Sequence, residues 1–139
     1  MRKVSCASAV VFMLFTGCKT GVTPTHPVLP DLRFNRTGWL KNPDNASEQT
    51  VRSRMARDLL AHKLPTVRSG RQVRDLLGDP TFKTDPVTLE GFERSPDGGV
   101  AWVYDVASFE DDGDAMAEAV VVLVDKKGSV LKSREVFRN

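Results

Sequence analysis

Hydrophobic residues recur along this chain with two spacings, and the change of spacing divides it. Val51, Met55, Leu59 and His62 fall at i, i+4, i+8 and i+11. That stripe predicts a helix from Glu48 to about Lys63, capped by Ser47 and stopped by Pro65. Leu60 lies beside the stripe and widens the buried face, while Arg54 and Arg57 point away from it. A shorter helix follows. Ser69 and Gln72 make an S-x-x-Q capping box, Val73, Leu76 and Leu77 supply the apolar face, and Gly78 and Pro80 close the end. Beyond Pro80 the period drops towards two. Phe82 and the stretch Val87–Phe92 are strand candidates. Val100, Trp102, Tyr104 and Val106 alternate with Ala101, Val103 and Asp105. Ala119–Val124 is continuously apolar, as a central strand covered on both faces would be. Asp125-Lys126-Lys127-Gly128 reads as a turn. Val130–Phe137 reads as the last strand, with Lys132, Arg134 and Glu135 suiting a sheet edge.

The first residues follow a different pattern. Met1-Arg2-Lys3 is positive, and Val4–Phe15 is an uncharged, mostly apolar run of twelve residues. It suits the apolar region of a signal peptide and is too short for a bilayer-spanning helix, which needs about 20 residues. Thr16-Gly17-Cys18 follows, and small-small-Cys after such a run resembles the bacterial lipoprotein signal. Phe15 stands where Leu is usual. The resemblance implies cleavage before Cys18 and a lipid on its sulfur, with residues 1–17 as the signal peptide. The alternative is an ordinary secretory signal with an incidental Cys. Cys6 lies in the leader, so Cys18 is the sole thiol of the mature chain and no disulfide can form within it. By resemblance to enterobacterial lipoprotein sorting, where Asp after the Cys retains the protein in the inner membrane, Lys19 implies the outer membrane. Residues 18–31, with Pro24, Pro27 and Pro30, read as an extended tether. Phe34, Trp39 and Leu40 then mark a piece docked on the domain, expected as a short strand.

Composition adds exclusions. The chain has 139 residues, 40% hydrophobic and 27% charged, which suits one folded domain with attachments. Its formal charge of +2 includes Arg2 and Lys3; without them 18 basic residues face 18 acidic ones. A neutral mature chain gives no footing for nucleic-acid binding. The charges are nevertheless segregated. Val51–Arg74 holds seven bases and one acid, whereas Asp85–Glu118 holds ten acids and one base. Arg52, Arg54 and Arg57, near the tether, are candidates to meet an anionic membrane or an acidic partner. Phe34 and Trp39 are candidates for the same surface. The alternative is a pair of solvated faces.

Catalytic and metal chemistry find no footing. His26 lies in the tether and His62 at a helix end, with no metal-ligand spacing around either. The chain has no phosphate-binding glycine loop and no G-x-S-x-G. Glu110-Asp111-Asp112-Gly113-Asp114 is acidic, but its carboxylates are adjacent, unlike the alternate ligands of calcium loops. It reads as a solvated hairpin tip. No catalytic residue, metal, cofactor or small-molecule substrate is expected.

Val73-x-x-Leu76-Leu77-Gly78-x-Pro80, opened by Ser69 and followed by Trp102-x-Tyr104, resembles the SmpA/OmlA family of small bacterial lipoproteins. Leu123-Val124-Asp125-Lys126-Lys127-Gly128-Ser129-Val130 matches that family's late strand and turn. The likeness covers about Arg54 to Phe137. Val67 stands where the family has Gly, and the loop after Pro80 is longer. The resemblance implies an α+β fold in which two N-terminal helices pack on one face of a three- to four-stranded antiparallel sheet, here over residues 32–139. It also implies an interaction role. The expected function is a non-enzymatic, lipid-anchored periplasmic scaffold of envelope structure or outer-membrane assembly, with envelope proteins as partners. The alternative is an inhibitory or binding module that captures a soluble periplasmic protein, as β-lactamase-inhibitor-like domains of shared fold do.

Overall fold

The computed structural model describes residues 27–43, 46–94 and 97–139. The protein is α+β, with a few helices preceding a four-stranded antiparallel sheet. The strands β1 (Phe82–Thr84), β2 (Val100–Asp111), β3 (Asp114–Val124) and β4 (Val130–Arg138) lie in sequence order, each paired with the next. β3 is therefore central, and Ala119–Val124 are all buried, as their unbroken apolar run predicts. The β2–β3 turn uses Asp112 and Gly113, both at positive φ (49° and 89°), beside the pair Asp111 and Asp114. Two left-handed residues match the right-handed twist of a hairpin. After β3 the Asp125 carboxylate accepts from the backbone N–H of Lys127 (2.8 Å) and of Ser129 (2.7 Å), which fixes the second turn.

Each sheet face carries its own buried cluster. Tyr104, Val106, Val120 and Val122 join Trp39, Leu59, Val73 and Leu77 in one. Ala101, Val103, Val121 and Val136 join Leu89 and Phe92 in the other. Val87–Phe92 is therefore a cover and not a strand. Pro86–Thr88 is a 3₁₀ turn whose preceding Asp85 accepts from the Val87 N–H at 3.1 Å. Pro86 has no N–H to give a ladder, so the segment folds over the sheet instead of joining it.

The helical half departs from expectation at its first helix and follows it at the last. The docked piece around Trp39 is a helix, α1 (Arg36–Lys41), capped by Asn35, and not a strand. The next helix, α2 (Val51–Asp58), begins at Thr50 and not at Ser47. The Thr50 hydroxyl accepts from the Ser53 N–H at 3.0 Å and donates to the Val106 carbonyl, so its cap doubles as a tie to β2. A π-turn, Leu59–Lys63, then inserts one extra residue. The next buried position passes to Leu64, and His62 stays exposed. α3 (Gly70–Leu77) forms as its sequence predicts. Both halves of the Ser69/Gln72 capping box are made, and Gly78 leaves the helix at φ 81°.

Candidate functional site

Residues 27–34 run along α2 as a strap, held mostly by bonds to its backbone. The Leu29 N–H donates to the Gln49 side chain at 2.5 Å, and Arg54 Nε donates to the Pro30 carbonyl at 2.8 Å. The Leu32 N–H reaches the Arg54 carbonyl at 2.7 Å. Arg57 Nη1 pairs with Asp31 at 2.8 Å, and the Phe34 N–H donates to Asp58 at 2.9 Å. That last bond, aided by His62 and against the upward push of burial, holds the Asp58 carboxyl below its ordinary pKa. The described end of the tether, 27–31, is thus docked on the protein.

Between strap, α2 and the outer edge of the sheet lies a cleft of about 730 Å³. Its polar wall includes Glu48, Glu118 and Glu135, and its apolar wall includes Leu60 and Phe137. Glu118 sits opposite Phe137 across the β3–β4 ladder, and Glu135 opposite Val120. The two carboxyls are therefore diagonal neighbours on one face. Glu118 is pushed up to about 8, first by burial, then by the hydrogen bond and charge of Glu135.

The structure separates the residues singled out from sequence. Phe34 and Trp39 are buried, Trp39 completely, so neither offers a surface to a partner or a membrane. Their apolar area is used in the core, and Trp39 Nε1 donates to the Leu77 carbonyl at 3.1 Å. Arg52 lies over the Trp39 ring (4.9 Å) and donates to the Trp39 carbonyl at 3.0 Å, where burial lowers its pKa. Arg54 and Arg57 do meet in one place, but as the strap's anchors and not as unengaged charges. Cys18 lies outside the described residues, as do His26 and the signal segment.

Sequence reading set Glu135 among the edge charges and Glu118 in the acidic stretch, and did not pair them. A fold about the Asp125–Gly128 turn brings the two strands together, but the irregularity at Leu123/Val124 shifts the register so that residue 118 meets 137 and Glu135 lies diagonal to Glu118. Among the described residues no group of three or more His, Cys, Asp or Glu is placed to hold a metal ion. No helix among them is long and apolar enough to cross a membrane. On the far sheet face the Asp105 carboxylate, buried, takes two bonds from Arg138 Nη2 (2.6 and 2.7 Å), a structural pair beneath Phe82.

The motif residues that carry the family resemblance come together. Tyr104 Oη donates to the Gly78 carbonyl at 3.1 Å, and burial pushes its phenol pKa up. Arg74 lies 5.3 Å from the Trp102 ring centre. A Cβ on Gly70 would stand 3.0 Å from that ring, so a side chain there needs the indole to give by a few tenths of an ångström. No protein-family model, curated protein or solved structure matches the chain.

Proposed function

We propose that this chain is a lipid-anchored, non-enzymatic interaction or scaffold domain of the SmpA/OmlA type, facing the periplasm from the outer membrane and serving envelope structure or outer-membrane assembly. Its helical layer packs on one face of the sheet, and the lipid on Cys18 holds it to the membrane. The observation that carries the reading is the meeting of Leu77-Gly78-x-Pro80 with Trp102-x-Tyr104 through the Tyr104–Gly78 bond. Two separated motifs of one family pattern then serve one packing contact. The small-small-Cys sequence supports the anchor independently.

The interaction face lies at the cleft. Among the described residues, three of the six exposed large hydrophobics, Val28, Leu29 and Phe137, line it. Exposed apolar area gathered at one concavity suits a protein partner better than scattered residues do. The test is fractionation with crosslinking. The full chain should sediment with outer membranes and crosslink to integral envelope proteins through residues placed at 28 or 137. Crosslinks to a soluble periplasmic protein alone would replace the scaffold reading with the capture module.

A further inference from the structure

We propose that Glu118 and Glu135 form a proton-operated latch for the strap: while they share one proton, Arg54 and Arg57 keep their hold on residues 30 and 31, and when both carboxyls ionise the pair draws these arginines away and the strap is released. The placement is fixed by the ladder. The two side chains project from neighbouring strands onto the same face and into the same cleft that the strap borders. A carboxylic acid bonded to a carboxylate leaves a single negative charge there. Removing the shared proton leaves two like charges whose backbones cannot move apart, because β3 and β4 hold them in register.

The other charged groups facing that cleft are few. Asp31 comes from the strap, Glu48 from the turn before α2, and Arg54 and Arg57 from α2. Glu48 and Asp31 add to the repulsion. Arg54 and Arg57 are the cations that line the cleft, and both are occupied in holding the strap. Arg57 has the looser hold, since its side chain is 84% exposed and that of Asp31 53%. A doubly ionised glutamate pair competes for these guanidinium groups. Each arginine that turns to it gives up its bond to Asp31 or to the Pro30 carbonyl.

The direction follows from linkage. With the strap closed, Glu118 keeps its proton to about pH 8. With the strap open, water and freed arginines favour the ionised form, so its pKa falls. The closed form therefore binds the proton more tightly. Its grip is greatest in acid, declines as pH rises towards that closed-state value, and is flat above it. One linked proton allows at most about a tenfold change in opening per pH unit.

The Leu32 amide, bonded to the Arg54 carbonyl, reports the grip. Hydrogen exchange of the full chain would be measured at about pH 5.5, 6.5 and 7.5 and corrected for intrinsic rates, since linkage predicts a graded loss across that window. Protection of Leu32 should fall several-fold per unit while staying well below that of the Val122 amide in β3, which opens only with the whole fold. Glu118→Gln keeps a hydrogen-bonding group and removes the titrating proton, so its Leu32 protection should be flat. Constant protection in the parent, or the same decline in Glu118→Gln, overturns the latch. Leu32 protection equal to that of Val122 at every pH overturns it too, because the linked event would then be global unfolding.

Discussion

Glu118 shows how one ionisable group can set a pH dependence for the whole protein. Its folded-state pKa stands above the ordinary carboxyl value, so the folded chain holds a proton that the unfolded chain releases. Stability is fully present below the unfolded value and is lost as pH rises through the folded one. Glu118→Gln should therefore stabilise the protein at neutral pH and leave it nearly unchanged near pH 4, where both states are protonated. Solvent reaches the cleft, so the gain is about 1 kcal/mol, or roughly 3–5 °C in melting temperature. Thermal melts of parent and variant across pH would show converging curves in acid; parallel curves would mean that the carboxyl is not raised. Asp105 forms a buried ion pair with Arg138 on the other face. Arg138→Ala leaves that buried carboxylate unpaired and should cost about 3 kcal/mol, measurable by urea unfolding. Neither pair was legible as a pair from residue type. Each partner lies in a different strand, and only the register joins them.

At the scale of elements, local chemistry decided what could be read. α3 was legible from end to end because each end carries its own signal, the capping box at Ser69 and the left-handed Gly78. Leu77→Ala should cost about 2–5 kcal/mol, since the side chain is buried in one cluster with Trp39, Val73 and Tyr104. Ser69→Ala should cost about 1 kcal/mol through the lost cap. Unfolding free energies would check both, and a Leu77→Ala loss under about half a kcal/mol would contradict burial of that face. α2 was legible only in its middle. Its start is chosen by a tertiary bond from Thr50 to Val106, and its end by a π-turn that hands the core position to Leu64. Nothing in a 3.6-residue period announces either. Leu89 and Phe92 were misread because a cover over a sheet has the same apolar residues as a strand, and Pro86 was the overlooked sign.

At the scale of the molecule, the segregated charges take on a narrower meaning. Of the three arginines Arg52, Arg54 and Arg57, the first is spent on Trp39, and the other two hold the strap. Sequence could show that they point off the apolar stripe, but not that residues 30 and 31 return to meet them. Arg54→Glu with Arg57→Glu should free the strap, and limited proteolysis should then cut between residues 27 and 34 at least several-fold faster. An unchanged cutting rate would show that backbone bonds alone retain it. The central claim, a lipid-anchored domain, is tested most directly by the intact mass and membrane partition of the mature chain. The account predicts a chain beginning at Cys18, heavier by its lipid, found with membranes and shifted to the soluble fraction or left uncleaved by Cys18→Ser. A soluble mature chain with an unmodified Cys18 thiol, or a Cys18→Ser variant that is cleaved and still membrane-bound, would contradict it.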